Sequence, residues 1–322
     1  MWLSISNDKI INMENSKPWQ SQKVLTSNDI RRILHINFPQ LTINDISFLG
    51  GGWDNTTWLI NKAWVFLLPK HSGAAQLLRN EIKILPHLPK LGVDYPKPEF
   101  ICLEPQGFDY PFYGHRYLLG THADGADLTT NNRIALAAEL EHFLKQLHAF
   151  PIDKAKALGI GVDEIDRANL KKRLGPTKEH FYYLPDHNLI EDPNFFIKFF
   201  ERYLDIKTPE TVVLGHGDFY ARHILLDYNK KLTAVIDWGD CELLSPAVDL
   251  RIVYQFLPLS THQVFWDIYG NVDQTIQKLA QLCAIFNAVT IAWYAHQVQD
   301  QSLLAEGLLG LKFISEAIDA ET

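Results

Sequence analysis

The sequence is poor in cysteine, which argues against a fold built on disulfides. Its three cysteines, Cys102, Cys241 and Cys283, are odd in number and far apart among 322 residues. Neither a disulfide framework nor a zinc site is indicated by this spacing. Runs of about 20 apolar residues are also missing, so we expect no membrane span. The amino-terminal stretch carries charged residues among its apolar ones, unlike a signal peptide. We therefore expect a cytoplasmic protein with no membrane partner.

An excess of positive charge is lacking as well. The chain has 30 Lys and Arg residues against 38 Asp and Glu residues, a net charge of −8. Nucleic-acid binders normally carry a basic face, so we predict no nucleic-acid partner. The acidic balance suits a cationic small substrate but does not require one. With 47% hydrophobic and 21% charged residues, the composition is that of an ordinary globular protein, and the length is enough for two lobes.

The first 120 residues predict a small β-rich lobe. Residues 26–39 have a polar cap and apolar residues at helical spacing. Two apolar runs follow within residues 46–70, separated by a turn at Asn61-Lys62 and interrupted by glycines, which is typical of a β-meander with a glycine-rich bend. Residues 74–85 return to a helical period, and residues 100–120 predict two further strands.

Residues 121–322 predict a larger helical lobe. Residues 135–150 form a strongly amphipathic pattern, and Asp192 and Pro193 resemble the start of another helix. A short strand is predicted within residues 232–240, and nearly everything after residue 246 has a helical pattern. We therefore predict an α+β, bilobal fold, with an antiparallel β N-lobe at 1–120 and a helical C-lobe at 121–322.

Two aspartates in the C-lobe offer the chemistry of phosphoryl transfer. This reaction needs a group that orients the attacking hydroxyl, oxygen ligands for Mg²⁺, and cations or amides around the phosphates. Asp218, in His216-Gly217-Asp218, could orient the hydroxyl or accept its proton. Asp237 ends an apolar run, from which a carboxylate can be presented to Mg²⁺. Asp237 follows His223 by 14 positions, which leaves room for a hairpin that brings the two residues together.

Three segments together resemble a known family. They are GGGWDNTTWLI from residue 50, HGDFYARHILLD from residue 216 and AVIDWGDCELLSPAVDL from residue 234. In this order they are similar to the aminoglycoside phosphotransferase and choline-kinase-like enzymes, relatives of the protein kinases, over residues 45–255. The resemblance implies a protein-kinase-like fold. It also implies a kinase that moves the γ-phosphate of ATP or GTP to a hydroxyl of a small molecule with Mg²⁺.

The resemblance also implies a role for individual residues. Asp218 takes the catalytic position, Asp237 that of the principal Mg²⁺ ligand, and His223 that of the second metal ligand. Asp249 takes the position of a structural aspartate. Nucleotide-binding positions fall on the glycine-rich strands, the N-lobe helix, the end of the meander and the interlobe hinge, namely Gly51, Gly52, Glu81, Lys70, Leu118 and Leu119.

Two positions depart from the family pattern. His223 stands where the family has Asn, and imidazole is a poor ligand for Mg²⁺. It either ligates the metal or hydrogen-bonds to an aspartate or a phosphate. Leu67 stands where the family has Arg or Lys to hold the phosphates, which leaves Glu81 without an evident cationic partner. Lys70 lies three positions further on, and Pro69 could break the strand and let Lys70 reach inward.

These departures keep a second hypothesis open, a pseudokinase that binds nucleotide or a partner without turnover. A protein kinase is disfavoured because the sequence has no recognisable DFG and APE pair. Aminoglycosides, choline-like alcohols, macrolides and sugars all remain candidate acceptors. Four carboxylates either form an acidic wall for an amine substrate or lie on the solvated surface; they are Asp240, Glu242, Asp267 and Asp273.

Overall fold

The computed structural model describes residues 25–52, 54–207, 209–270 and 272–321. The predicted start of the N-lobe at residue 1 therefore lies outside the described residues. The strands are β1 Ile46–Gly51, β2 Asn55–Ile60, β3 Trp64–Pro69, β4 Phe100–Cys102, β5 Phe112–Arg116, β6 Thr121–His122, β7 Val213–Gly215, β8 Ile224–Leu226, β9 Leu232–Val235 and β10 Glu242–Leu244. The helices are α1 Ser27–Asn37, α2 Ser72–Ile84, α3 Thr130–His148, α4 Ile152–Ala157, α5 Leu170–Asp186, α6 Asn194–Arg202, α7 Ala247–Leu250, α8 Ile252–Phe256, α9 His262–Tyr269, α10 Gln274–Gln297 and α11 Gln301–Asp319.

The N-lobe is the predicted small antiparallel sheet. Its five strands lie in the order β1-β2-β3-β5-β4, and every neighbouring pair is antiparallel. Helix α1 begins with a capping box between Thr26 and Asp29 and buries Ile30 in the lobe's own core beside Phe66 and Phe112. The predicted leading helix and β-meander are thus both confirmed.

Turn chemistry shapes this sheet. Asn61 and Lys62 both have positive φ angles, 54° and 55°, and form the centre of a tight turn that is closed by a 3.0 Å hydrogen bond from the Ala63 N–H to the carbonyl oxygen of Ile60. On the other side of β2, the pairing with β1 shifts register between Phe48 and Gly50. A bulge of this kind bends a strand, and here it bends β1 toward the space between the lobes.

The C-lobe is built mainly from helices, as predicted. Its core continues through α3, α5, α10 and α11, with the apolar sides of all four helices buried. Helix α6 begins one residue later than the sequence suggested. Pro193 occupies the N-cap, and the Asp192 carboxylate accepts a hydrogen bond from the backbone N–H of Asn194 at 2.8 Å.

Helix α10 is long and apolar enough to cross a membrane, judged by length and composition alone. It has 24 residues, and 72% of its most apolar window is buried inside the protein. Its neighbours are α5 and α11 of the same lobe. A single, mostly buried helix of this kind is weak evidence for a membrane span, and the packing is that of a core helix.

A short hairpin in the C-lobe places the predicted active-site residues. Strands β8 and β9 are antiparallel, and Ile224 pairs with Val235. This pairing brings the residue before β8, His223, level with the residues that follow β9. The hairpin predicted between His223 and Asp237 is therefore confirmed. The segment before β4 also joins this hairpin, because Asp94 forms a parallel bridge with β9 and exchanges backbone hydrogen bonds with Thr233 and Val235.

Tight packing in the N-lobe core predicts that one small substitution, at Gly114, lowers the stability of the fold. A Cβ atom at Gly114 in β5 would lie 2.6 Å from the buried Phe66 ring, against which the strand packs. We expect Gly114→Ala to lower the free energy of unfolding by about 1–3 kcal/mol, the usual cost of overpacking. Chemical denaturation measures this change. Gly161→Ala is the matched control, because its Cβ would meet no atom within 4 Å; equal effects of both changes would contradict the packing described here.

Candidate functional site

A cavity of about 620 Å³ lies between the two lobes. The glycine-rich bend of β1 and the side chains of Leu67 and Glu81 line it from the N-lobe. His223 and Asp237 line it from the C-lobe, at the two ends of the β8–β9 hairpin. The cavity therefore gathers both predicted metal-binding residues and four of the six predicted nucleotide-binding residues; Lys70 and Leu119 do not line it.

Lys70 reaches the glycine-rich bend, despite its unfavourable position in the sequence. Strand β3 ends at Pro69, and the Lys70 side chain turns back to donate a hydrogen bond to the carbonyl oxygen of Gly52. Its Nζ lies 3.4 Å from where a Cβ of Gly51 would stand. Gly51 and Gly52 line the cavity. The break at Pro69 thus brings a cation to the bend that covers the cavity.

Glu81 has a partner that the sequence did not indicate. Its carboxyl group is buried and accepts a hydrogen bond from the Tyr113 hydroxyl at 2.5 Å. Burial raises the pKa of Glu81 to about 8, despite the opposing effect of that hydrogen bond. Among the described residues, no Lys or Arg forms an ion pair with it. Burial therefore keeps Glu81 a neutral acid near neutral pH, with its carboxyl group hydrogen-bonded to a tyrosine of β5, and the leucine at position 67 leaves no charge unpaired.

The two leucines of the predicted hinge have different surroundings. Leu118 lines the cavity, whereas the Leu119 side chain is 74% exposed. The carbonyl oxygen of Leu119 accepts a hydrogen bond from the Thr233 hydroxyl at 3.1 Å, which ties this segment to β9. The cavity thus receives Leu118, while Leu119 faces away.

Asp218 is buried directly behind His223, and it does not line the cavity itself. One carboxylate oxygen lies 3.4 Å from the guanidinium of Arg251, a fully buried residue that sequence reasoning missed. Burial lowers the pKa of Arg251 to about 10, which leaves it charged near neutral pH. This cation stabilises a charged Asp218 carboxylate, the form that can accept a hydroxyl proton.

His223 links the two aspartates. Its Nδ1 donates to the carbonyl oxygen of Asp218 at 2.8 Å, since a carbonyl can only accept. Its Nε2 lies 3.2 Å from a carboxylate oxygen of Asp237. Burial lowers the pKa of His223, and the neighbouring Asp237 partly offsets this effect. With its Nδ1 proton donated to the Asp218 carbonyl, a neutral ring would offer Nε2 to a cation beside the Asp237 carboxylate, so that the two side chains supply one nitrogen and one oxygen ligand.

Asp237 is the more accessible member of this pair. The residue has a φ angle of 63°, and its side chain is 56% exposed toward the cavity. Its place in the cleft disfavours the charged form, but the neighbouring His223 lowers the pKa of Asp237 below its usual value. The carboxylate is therefore charged near neutral pH. No group of three or more metal-ligating side chains occurs within the described ranges, so a metal here would also need ligands from a bound molecule.

Asp249 anchors the backbone of residues 216–218, which we call the catalytic segment. Its two carboxylate oxygens accept hydrogen bonds from the backbone N–H groups of His216 and Gly217, at 2.7 and 2.9 Å. His148 of α3 donates to the same carboxylate at 3.1 Å. Gly217 has a φ angle of 82°, and a Cβ there would lie 2.2 Å from the carbonyl oxygen of Asp240. Both the glycine and the aspartate are thus required by the shape of this turn.

The acidic wall considered for an amine substrate is not formed. Asp240 and Glu242 both pair with the buried Arg167, at 2.5 and 2.7 Å. Asp273 caps α10 by accepting from the backbone N–H of Thr275 at 2.7 Å. Asp267 is exposed and accepts a hydrogen bond from a glutamine on its own helix. The four carboxylates have separate structural partners and do not face one acceptor.

Comparison with known proteins agrees with this geometry. The model of the phosphotransferase enzyme family matches residues 45–279. This chain belongs to the phosphotransferase enzyme family. It is therefore an enzyme, a kinase that acts on hydroxyl groups, with the protein-kinase-like fold of that family.

Solved structures of the same fold cover nearly the whole chain. One is wild-type aminoglycoside 2'-phosphotransferase-IIIa in complex with GDP, 26% identical, with a TM-score of 0.67 over 91% of this chain and 100% of that chain. Another, a related enzyme with GDP and kanamycin, is also 26% identical and has a TM-score of 0.64 over 91% and 99%. Macrolide 2'-phosphotransferase type I, at 18% identity and a TM-score of 0.57 over 88% and 97%, shares the fold.

The hydrogen bonds of Asp249 predict how the folding stability of this phosphotransferase changes at acidic pH. Although burial disfavours a charged Asp249, the hydrogen bond from His148 lowers the pKa of Asp249. The charged carboxylate therefore stabilises the fold fully above its unfolded-state pKa of about 3.9, and less as the pH falls through the folded-state value.

We expect Asp249→Asn to reduce the free energy of unfolding by about 3 kcal/mol near neutral pH. The difference from the unmodified protein should narrow below about pH 4. Urea denaturation at a series of pH values measures it. Asp267→Asn is the control, because that carboxylate is exposed; a gap that stayed constant down to low pH would contradict the role assigned to the Asp249 charge.

Proposed function

We propose that this kinase transfers the γ-phosphate of ATP or GTP to a hydroxyl of a small molecule, with a divalent cation at Asp237 and His223. The observation that carries the proposal is the placement of Asp218 against Arg251 and His223, next to the cavity. Two of the solved structures described above are complexes with GDP, and one of these two also contains kanamycin. These complexes support a nucleotide co-substrate and a small-molecule acceptor.

The reaction assigns a task to each side chain at the site. The acceptor hydroxyl attacks the γ-phosphorus, the bond to the oxygen bridging the β- and γ-phosphates breaks, and a nucleoside diphosphate leaves. Asp218 orients the hydroxyl and accepts its proton. Mg²⁺, when bound, neutralises charge on the phosphates. Asp237 and His223 would hold it, and Asp237 supplies the oxygen ligand that Mg²⁺ prefers.

The N-lobe supplies the nucleotide side of the site. The glycine-rich bend covers the cavity, and Lys70 brings a positive charge to the carbonyl oxygen of Gly52. We propose that Lys70 takes over the phosphate-holding task that an Arg or Lys at position 67 performs in the family. Leu67 lines the cavity without charge, and Leu118 offers the backbone that contacts the base.

A pseudokinase is the second candidate, since Leu67 and His223 depart from the family pattern. Two observations disfavour it. Glu81 is satisfied by Tyr113, so the missing cation leaves no disrupted ion pair. His223 holds both aspartates in place, as an active site requires. We further propose that the enzyme works in the cytoplasm, where nucleoside triphosphates are available, and that it acts on neither nucleic acid nor a membrane.

The proposed role of Asp218 predicts a loss of turnover without a loss of binding. We expect Asp218→Asn to lower kcat by about 10²–10⁴-fold, the usual contribution of a positioned acid or base. Phosphate transfer to a panel of alcohols measures it, with Mg²⁺ and with Mn²⁺, and thermal shift with nucleotide measures binding. Asp153→Asn on the exposed start of α4 is the control. Equal turnover in Asp218→Asn and Asp153→Asn would contradict the catalytic role of Asp218. Nucleotide binding by the unmodified protein without turnover on any acceptor would favour the pseudokinase.

The proposed role of Lys70 predicts that its substitution changes the KM for the nucleotide and leaves the KM for the acceptor nearly unchanged. We expect Lys70→Met to raise the KM for ATP or GTP by about tenfold, because one charge-assisted hydrogen bond to the phosphates contributes about 1.5–3 kcal/mol. The KM for the acceptor should change little. Lys90→Met, an exposed lysine after α2, serves as the comparison. An unchanged nucleotide KM in Lys70→Met would show that Lys70 does not hold the phosphates.

A further inference from the structure

His148 links the Asp249 carboxylate to a residue of helix α9. The Nε2 atom of His148 lies 3.1 Å from the carboxylate, and the His148 side chain is only 4% exposed. The other ring nitrogen, Nδ1, lies 2.6 Å from the hydroxyl oxygen of Tyr269. Tyr269 is the last residue of α9 and follows residues 45–255, over which the sequence resembles the family. The motifs of the sequence therefore assign this tyrosine no role.

Hydrogen-bond chemistry gives both contacts of the His148 ring a direction. A charged carboxylate can only accept, so the proton between His148 and Asp249 belongs to Nε2. A neutral ring then has a lone pair on Nδ1, to which the Tyr269 hydroxyl donates. Burial raises the pKa of Tyr269, and the charge of Asp249 adds to this effect, so the hydroxyl keeps its proton. The three side chains thus form one chain of hydrogen bonds.

Helix α9 is held against α3 beside this chain. Lys145 of α3, one helical turn before His148, donates through Nζ to the carbonyl oxygen of Ile268 at 2.6 Å. The ring of Tyr269 stacks on the buried ring of Phe265, with 6.0 Å between the centroids and 12° between the planes. These contacts fix both the backbone and the ring of Tyr269. Its hydroxyl is therefore presented to His148 from one direction.

The other end of the chain is the backbone of the catalytic segment. Asp249 accepts from the N–H groups of His216 and Gly217 at 2.7 and 2.9 Å. The N–H of Asp218 in turn donates to Nδ1 of His216 at 3.3 Å. A rotation of the His148 ring would move the Asp249 carboxylate, and with it the two residues before Asp218. A displacement of about 1 Å at a reacting group can lower a rate by about a hundredfold.

The Tyr269 hydroxyl opposes such a rotation. Its removal takes away the hydrogen-bond partner of a nearly buried ring nitrogen. A buried polar atom without a partner costs free energy, so the ring gains by turning toward another donor. That turn weakens the hydrogen bond from Nε2 to Asp249. The bond at Nδ1 thus sets the direction of the bond at Nε2.

We propose that Tyr269 is a positioning residue of the phosphotransferase, whose hydroxyl holds the His148 ring in the direction that anchors Asp249 and the backbone before Asp218. This inference rests on the proposed function, because it takes Asp218 as the residue that orients the acceptor hydroxyl. Neither Tyr269 nor His148 lines the cavity. The effect of Tyr269 should therefore appear in kcat and not in nucleotide binding.

Steady-state kinetics of the full chain test this role, on an alcohol for which turnover depends on Asp218. We expect Tyr269→Phe to lower kcat by about tenfold, because the catalytic carboxylate is less well directed. The KM for ATP or GTP, and the nucleotide Kd measured by calorimetry, should stay within about twofold. Tyr228→Phe is the matched control, because Tyr228 is 90% exposed. Thermal denaturation shows whether each variant is folded at the assay temperature.

His148→Gln distinguishes an effect through His148 from a general loss of structure. The amide group of glutamine can donate to Asp249, and it has no ring nitrogen for Tyr269 to orient. If Tyr269 acts through the His148 ring, the two substitutions are not additive. We therefore expect Tyr269→Phe to lower kcat by less than about twofold when it is added to His148→Gln.

Three results would contradict the positioning role while Asp218-dependent turnover still upholds a phosphotransferase. They are a kcat of Tyr269→Phe within about twofold of that of Tyr228→Phe, a tenfold loss that persists in the His148→Gln background, and a rise in the nucleotide KM in place of a fall in kcat. Absence of Asp218-dependent turnover on every alcohol overturns the proposed function, and the role of Tyr269 with it.

Discussion

The arrangement of the active site depends on the hydrogen bonds that the Asp249 carboxylate accepts. It accepts from two consecutive backbone N–H groups of the catalytic segment and from His148 of α3. Those backbone groups lie immediately before Asp218, so their direction determines where the catalytic carboxylate points. Because the carboxylate is fully buried, each of these hydrogen bonds forms without competition from water. The position of Asp218 is therefore set by the core of the C-lobe, and a mobile loop has no part in it.

A second constraint is the position of His223 between Asp218 and Asp237. The β8–β9 hairpin presents His223 and Asp237 side by side, and His223 reaches back to the Asp218 carbonyl. One imidazole thus connects Asp218, the proposed catalytic residue, with Asp237, the proposed metal ligand. An asparagine at position 223 would offer a metal an oxygen, but its shorter side chain cannot span both aspartates in the same way. A histidine here would bind Mg²⁺ less well than an oxygen ligand, while its contacts with both aspartates fix their arrangement.

Local patterns account for what could be predicted from the sequence. Helical and strand periodicity, the Asn61-Lys62 turn and the spacing from His223 to Asp237 each depend on residues close together in the chain, and each was confirmed. The partners of charged groups could not be predicted in this way. Tyr113 and Glu81 are 32 residues apart, Arg251 and Asp218 are 33 apart, and Arg222 and Asp300 are 78 apart. These pairs follow from the packing of whole elements, of which a single sequence carries no local signal. The alternative of an acidic wall could not be excluded from the sequence for the same reason, because Arg167, which pairs with Asp240, lies 73 residues from it.

The hydrogen bond between Glu81 and Tyr113 has a consequence for control of the enzyme. In protein kinases, a lysine–glutamate ion pair forms only when the N-lobe helix swings into place, and this movement is a point of activation. Here the corresponding glutamate is bonded as a neutral acid to a strand of the same lobe, and it also lies against Gly239 just after Asp237. Helix α2 is therefore tied to the sheet of its own lobe by a hydrogen bond that needs neither a lysine nor a bound nucleotide. The ion pair that a helix movement makes or breaks in protein kinases has no counterpart at Glu81 among the described residues.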